Sequence, residues 1–258
     1  MKAITLLTDF GLKDPYVGIV KGVILSINPD VHLIDISHDV EPQDVTEGCF
    51  IIQEYAPFFR KGTVHLCVVD PTVGSKRRAI VVTHDGHFFV GPDNGLFTLL
   101  LDSQSKIYEI TNTSYMLGRV SHTFHGRDVF APVAGHLSLG LDPAALGEEI
   151  SEPVRLADIH PVKKGRSLTG RIVRFDRFGN AISNITAASL NAFHKGRPFS
   201  IQVAGLRFGK LNKTYSEKAH TCLEGSSGYI EFAAFKDSIA RNRSIRKNDP
   251  VTVRLTPP

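Results

Sequence analysis

Residues 3–27 read AITLLTDFGLKDPYVGIVKGVILSI, and their reading decides the fold. Ala3–Thr8 is a short apolar run of the kind that forms a buried strand, and it stops at Asp9. Asp14-Pro15 then offers an N-cap followed by proline at the first helical position, where its missing N–H is not needed. Val17, Val20, Val23, Ile24 and Ile27 recur at helical spacing until Asn28-Pro29-Asp30 ends the run. This is the first half of a βα unit, and the pattern repeats. Val31–Ile36 predicts a strand, Asp44–Phe59 a helix, and Thr63–Val69 a strand that ends at Asp70. Ala79–Thr83 and Phe88–Val90 flank Asp85-Gly86, a hairpin signal. Leu96–Leu101 and Arg127–Leu139 predict helices. Repeated βα units predict an α/β domain with a mainly parallel sheet covered by helices on both faces.

The pattern changes after Ile150. Ser151–Gly165 is rich in proline, charge and small residues and reads as a linker. Short β-prone runs follow at Ser167–Phe175, Ala181–Ile185, Phe199–Val203, Tyr229–Phe232 and Val251–Leu255, with turn signals between them. They predict a smaller all-β, barrel-like C-terminal domain. With 258 residues and roughly 150 per domain, two domains are expected, at 1–155 and 156–258.

Composition excludes several classes. Hydrophobic residues make up 42% and charged residues 22%, an ordinary globular balance and not a disordered one. The net charge of +4 is too small to predict a nucleic-acid or membrane partner. Residues 241–247 (RNRSIRK) carry no interleaved aromatics and read as a solvated basic face. Cys49, Cys67 and Cys222 form no CxxC spacing, and Cys49 and Cys67 sit in apolar runs, so reduced, buried thiols are expected. The apolar stretch at the N-terminus is too short for a signal peptide, and a cytoplasmic protein is expected. His122-x-x-His125 lacks a HExxH arrangement or a carboxylate partner set, so no metal is expected. No GxGxxG, P-loop or GxSxG elbow occurs, which speaks against dinucleotide, NTPase and serine-hydrolase chemistry.

Ligands in open α/β sheets bind at the carboxyl ends of strands, and Asp9 and Asp70 both fall there. A lone Asp after a strand more often caps a turn; two of them, each before a Gly- or Pro-containing loop, point to a site. Gly91-Pro92-Asp93-Asn94-Gly95 follows a strand, and its residue types equally suit a simple tight turn. Residues 123–128 (TFHGRD) enter the next helix and place His125 where backbone donors converge, although a structural histidine explains it as well. In the second half, residues 175–180 (FDRFGN) and 225–229 (GSSGY) are polar loops between strand signals. On spacing alone the first reads as a hairpin turn, and Phe178 is suited to stack on a flat ring.

The stretches LTDFGLKDPYVGIVKGVI, VVDPTVGSKRR, GPDNG, TFHGRDVFAPVAGHL and FDRFGNAISNI, in this order, resemble the S-adenosylmethionine hydroxide adenosyltransferase family, the hydrolytic relatives of fluorinase and chlorinase. The resemblance spans both domains. It implies cleavage of S-adenosylmethionine to adenosine and L-methionine, with no cofactor and with the sulfonium as a small-molecule substrate. It further implies that Asp9 holds the ribose hydroxyls and that Asp70, Arg77 and His125 handle the attacking water. Asp93 and Asn94, with Asp176, Phe178, Asn180 and Ser226, would bind substrate, the last four around the methionine and adenine groups. A homotrimer is also implied, its sites lying between one chain's N-terminal and a neighbour's C-terminal domain. Thr72 departs from the family pattern, standing where glycine is usual.

This chemistry needs little from the protein. The sulfonium leaves as a neutral thioether, so neither an acid nor a metal has to assist departure. The site must supply an oriented, partly desolvated water in line with the carbon–sulfur bond. Two alternatives remain at this level: a sensor that binds S-adenosylmethionine or adenosine without turnover, and a halide-using adenosyltransferase. The resemblance opposes the latter, because halogenating relatives lack the acidic residue at Asp70 and carry a hydroxyl where this chain has Gly126.

Overall fold

The computed structural model describes residues 2–243 and 245–256, and the chain divides into two compact units, 1–157 and 158–258. Residues 1, 257 and 258 lie outside the described residues, as does Ser244 of the basic run.

The first unit contains β1 (Ala3–Thr8), α1 (Tyr16–Ile27), β2 (His32–Ser37), α2 (Val45–Tyr55), β3 (Val64–Val68), β4 (Ala79–His84), β5 (His87–Pro92), β6 (Lys106–Glu109), α3 (Ala131–Leu139) and β7 (Glu149–Ile150). Their order in the sheet is β2-β1-β3-β5-β4-β6-β7. The sheet is mixed, which corrects the mainly parallel sheet expected from sequence. β1 pairs in parallel with β2 and β3, and β3 with β5, but the β5-β4, β4-β6 and β6-β7 pairs are antiparallel. Asp85 and Gly86, both at positive φ (45° and 80°), reverse the chain in two residues and leave the outer edge of β4 open. The helix expected at 96–101 is only the 3-10 turn Thr98–Leu100. Without a crossover helix, β6 takes the open edge of β4 in antiparallel sense.

Strand alternation sends side chains to two covered faces. Ile4, Leu6, Leu66, Val68, Val81 and Val90 pack with Val20 and Ile24 of α1 and Val133 and Leu137 of α3. Leu7, Cys67, Val69, Ile80, Val82 and Phe89 pack on the other side with Ile52 of α2. Full burial of each such aliphatic side chain is worth roughly 1.5–3 kcal/mol. α2 starts at Asp44, whose side chain accepts the Glu47 N–H at 3.0 Å. α1 begins one residue later than the sequence suggested: the Pro15 carbonyl accepts the Ile19 N–H at 2.9 Å, so proline itself is the cap.

The second unit holds β8 (Val162–Lys164), β9 (Ser167–Phe175), β10 (Ala181–Thr186), α4 (Ala187–His194), β11 (Phe199–Val203), β12 (Leu206–Phe208), β13 (His220–Glu224), β14 (Tyr229–Ala234), α5 (Ile239–Arg243) and β15 (Pro250–Leu255). The antiparallel order is β12-β11-β15-β9-β10-β14-β13, with β8 on β9. A bridge between Asn212 and Leu223 ties the chain after β12 to β13 and brings the sheet close to closure. The linker expected at 151–165 therefore ends in a strand. α4, unforeseen from sequence, is capped by Thr186, whose hydroxyl accepts the Ser189 N–H at 3.0 Å.

Candidate active site

Parallel pairing brings together the candidate residues of the first unit. β1 and β3 run side by side with Thr8 opposite Val68, so the residues just past their carboxyl ends emerge together. Those residues are Asp9 and Asp70. Their proximity is electrostatic as well as topological: burial first, and the negative charge of Asp70 in addition, push the Asp9 carboxyl up, against the pull of the Gln43 N–H that it accepts at 2.8 Å.

The loop after β3 turns back through the Val73 N–H to Asp70 carbonyl bond and the Ser75 N–H to Thr72 carbonyl bond, and delivers Arg77 to Asp70. Arg77 Nε lies 3.1 and 3.0 Å from the two carboxylate oxygens, and Nη2 also donates to Oδ2. The side chains are 7% and 5% exposed. A forked, charge-assisted contact of this kind fixes both groups. Phe130, fully buried, places its ring 5.2 Å from the Arg77 guanidinium carbon and supports the fork from below.

Arg77 Nη2 reaches further, to His125 Nδ1 at 2.9 Å. A guanidinium has no lone pair to offer, so Nδ1 accepts and the imidazole proton sits on Nε2. Burial and then the charge of Arg77 hold this histidine below its ordinary 6.5, with Asp70 opposing. His125 is thus a neutral ring presenting one N–H. It precedes a π-turn, Gly126–Phe130, that opens into α3. The wide turn carries Asp128 inward, 1% exposed, where it accepts the Ser121 N–H at 2.8 Å and pairs with Arg127.

Two glycines allow the close approaches. Gly74 has φ +78°, and a Cβ there would stand 2.1 Å from the His122 carbonyl oxygen, so the Asp70–Arg77 loop lies directly on the loop that carries His125. A Cβ on Gly126 would come within 3.2 Å of the Phe10 ring and 3.3 Å of Phe124. Phe10, Tyr16 and Phe124 meet edge to face, with centroids 5.2–6.1 Å apart. Thr72, exposed, has its hydroxyl 3.4 Å from Asp70 Oδ1. Its position therefore adds a hydroxyl near the carboxylate as well as bulk.

Asp93 and Asn94 are engaged elsewhere. Asp93 accepts Arg78 Nε at 2.7 Å and the Val154 N–H at 2.8 Å. Asn94 donates to the Val69 carbonyl at 2.9 Å and accepts the Leu96 N–H at 3.2 Å. Both fasten the chain behind the ends of β3 and β5.

In the second unit, Asp176 folds the β9–β10 turn by accepting the Phe178 and Asn180 N–H groups, both at 2.9 Å, and the Asn180 side-chain amide at 2.8 Å. Phe178 is 78% exposed at the tip. Gly179 has φ +84°, and its Cβ would meet Ser238 Oγ at 2.1 Å. Ser226 is exposed in the turn between β13 and β14, and no hydrogen bond joins it to Asp176, Phe178 or Asn180 among the described residues. Tyr215 and Glu231 were not foreseen. The Tyr215 hydroxyl donates to Glu231 at 3.0 Å, and burial with the Glu231 and Asp176 charges pushes the phenol up to about 12. A Cβ on Gly225, beside Ser226, would stand 2.5 Å from a Glu231 oxygen, so this pair backs the turn that carries Ser226. No sequence pattern marks this pair, because the partners sit on separate elements.

Among the described residues, no three His, Cys, Asp or Glu side chains gather as a metal-ligand set. No helix is long and apolar enough to cross a membrane.

Family models described as the SAM hydroxide adenosyltransferase N-terminal and C-terminal domains match residues 4–147 and 170–252. A Thermus thermophilus protein named (R)-S-adenosyl-L-methionine hydrolase is 36% identical, the match covering 97% of this chain and 99% of that one. A Methanocaldococcus jannaschii protein of the same name is 35% identical over 97% and 95%. A Nocardia brasiliensis fluorinase is more distant, 25% identical over 98% and 96%. The solved structure of an uncharacterized conserved protein from Thermotoga maritima superposes with TM-score 0.88 at 31% identity, covering 98% of this chain and 100% of that one.

Proposed function

The chain belongs to the SAM hydroxide adenosyltransferase family, and from that premise we propose that it hydrolyses S-adenosyl-L-methionine to adenosine and L-methionine by attack of water at the ribose C5′. The observation that carries the mechanism is the Asp70–Arg77–His125 network beside Asp9. Asp9, ionised and acceptor-only, holds the ribose diol. Asp70 keeps lone pairs beyond those facing Arg77 and accepts a hydrogen bond from the water, while His125 Nε2–H donates to its oxygen. Arg77 fixes both partners and favours developing hydroxide. The C5′–O bond forms as the C5′–S bond breaks, the electron pair passes to sulfur, and the sulfonium's positive charge is balanced by one released proton.

Asp176, Phe178, Asn180 and Ser226 contribute the methionine and adenine contacts, with Phe178 free to stack on the base. Asp93 and Asn94 act behind the site, as their protein contacts suggest. The enzyme works as a homotrimer in which one chain's N-terminal domain and a neighbour's C-terminal domain share each site. It uses no cofactor, and its three free, buried cysteines suit a reducing cytoplasm.

Gly126 opposes halide transfer in this chain, because a hydroxyl-bearing side chain there would press on Phe10 and Phe124. Chromatography of products from S-adenosylmethionine tests the assignment. Adenosine and methionine are expected in equal amounts, unchanged by chloride or chelator. A 5′-chloro product would sink the hydrolase reading; tight binding without products would favour the sensor.

A further inference from the structure

A polar chain, buried at Thr8 and His38 and reaching solvent at Asp35 and Lys21, runs behind Asp9 and is not used by the mechanism above. Thr8, fully buried at the end of β1, has its hydroxyl 2.8 Å from His38 Nδ1, and His38 is 5% exposed. His38 Nε2 lies 3.1 Å from Asp35 Oδ1, off the straight hydrogen-bond line, and Lys21 Nζ donates to Asp35 Oδ2 at 2.6 Å. A carboxylate offers no proton, so a lone pair on Nε2 facing it would be repelled, and the imidazole proton belongs on Nε2. Nδ1 then accepts from the Thr8 hydroxyl, whose oxygen is left to accept the Phe10 N–H at 3.2 Å. The Thr8 hydroxyl and the Phe10 N–H thus each have one acceptor.

The Thr–His–Asp order invites comparison with a hydrolase triad. Thr8 is sealed from solvent and its oxygen already holds a backbone N–H, so it has no route to a substrate. What the chain does is bracket residues 9–11. The Phe10 N–H goes to Thr8 Oγ1, the Gly11 N–H to the His38 carbonyl at 2.7 Å, and the Val40 N–H to the Thr8 carbonyl at 3.4 Å. A register shift between β1 and β2, where Leu6 faces Asp35 and Leu7 faces Ser37, re-aims the end of β1 against this segment. A backbone pinned on both sides of Asp9 narrows the directions its carboxylate can take. We propose that Thr8 and His38 are positioning residues for the reaction, holding Asp9 in the orientation that binds the ribose diol; this rests on the assignment of Asp9 to the ribose.

The test measures adenosine affinity by calorimetry and the kcat and KM of the full-length enzyme. Thr8→Val keeps shape and removes the hydroxyl, leaving the Phe10 N–H without its acceptor. It should weaken adenosine about tenfold and raise KM similarly while kcat changes little. Thr8→Ser should restore both. In an Asp9→Ala background, Thr8→Val should weaken adenosine less than about twofold further, because the effect passes through the missing carboxylate. Unchanged affinity in Thr8→Val, or the same tenfold loss in both backgrounds, overturns the proposal. If Thr8→Val does not fold, His38→Leu against His38→Asn makes the same comparison, since Asn can still accept from Thr8. A single Asp9→Ala variant with normal adenosine affinity would instead overturn the ribose assignment beneath it.

Discussion

Because a guanidinium only donates, the 2.9 Å contact from Arg77 Nη2 occupies the Nδ1 lone pair of His125 and leaves the imidazole one N–H to offer. In the proposed mechanism Asp70, His125 and Arg77 divide the work of holding water, and Asp9 stands apart as a binding group. Asp70→Ala, Arg77→Ala and His125→Ala should each lower kcat by about 10²–10³ with small changes in KM. Asp9→Ala should chiefly raise KM. Identical signatures for Asp70→Ala and Asp9→Ala in steady-state kinetics would contradict the division. The pH dependence follows from the two displaced groups. His125 is held below 6.5, so kcat should stay level through that pH as acid is added and fall only beneath it. Asp9 is held above 3.8, so it loses its charge earlier on acidification, and KM should rise at a higher pH than an ordinary aspartate would give. A kcat limb centred at or above 6.5 would show that His125 is not held below its ordinary value in the working enzyme.

At the scale of elements, the loop after β3 and the loop before the π-turn form one device, joined where Gly74 lies on the His122 carbonyl. Gly74→Ala would put a methyl where 2.1 Å is available, at a φ of +78°. It should cost about 2–4 kcal/mol of stability in denaturant titration and lower kcat, since it separates the loops carrying Asp70 and His125. Wild-type stability and rate in this variant would mean the loops are independent. The same elements show what sequence can carry. β1 and β3 were legible because buried central strands are continuous apolar runs, and Asp9 and Asp70 were legible because they end them. The direction of the outer strands was not, because an apolar run at 96–101 predicts helix while the chain forms only a 3-10 turn. β12 and β13 were missed: three residues are too few for a period, and His220–Glu224 begins and ends in polar residues. Asp93 accepts hydrogen bonds from Arg78 and the Val154 N–H, 15 and 61 positions away. Local spacing cannot announce such distant commitments.

The whole molecule is a claim about assembly as much as chemistry. The groups proposed for water and ribose lie before residue 130 and those proposed for methionine and adenine after 175, which suits the proposed ring of heterologous contacts. Asp70→Ala and Asn180→Ala chains should each be poorly active alone. Unfolded and refolded together, about a quarter of shared interfaces should regain both intact halves by random assortment. No recovery, with mixed oligomers verified by mass, would place each site within a single chain. Above assembly stands the reaction itself, in which hydroxide from solvent ends on the ribose carbon. Turnover of S-adenosylmethionine in oxygen-18-labelled water, with products resolved by mass spectrometry, addresses it directly. The account predicts adenosine carrying one solvent oxygen at its 5′-hydroxyl and methionine carrying none. Unlabelled adenosine, or label in a homoserine product beside methylthioadenosine, would contradict it.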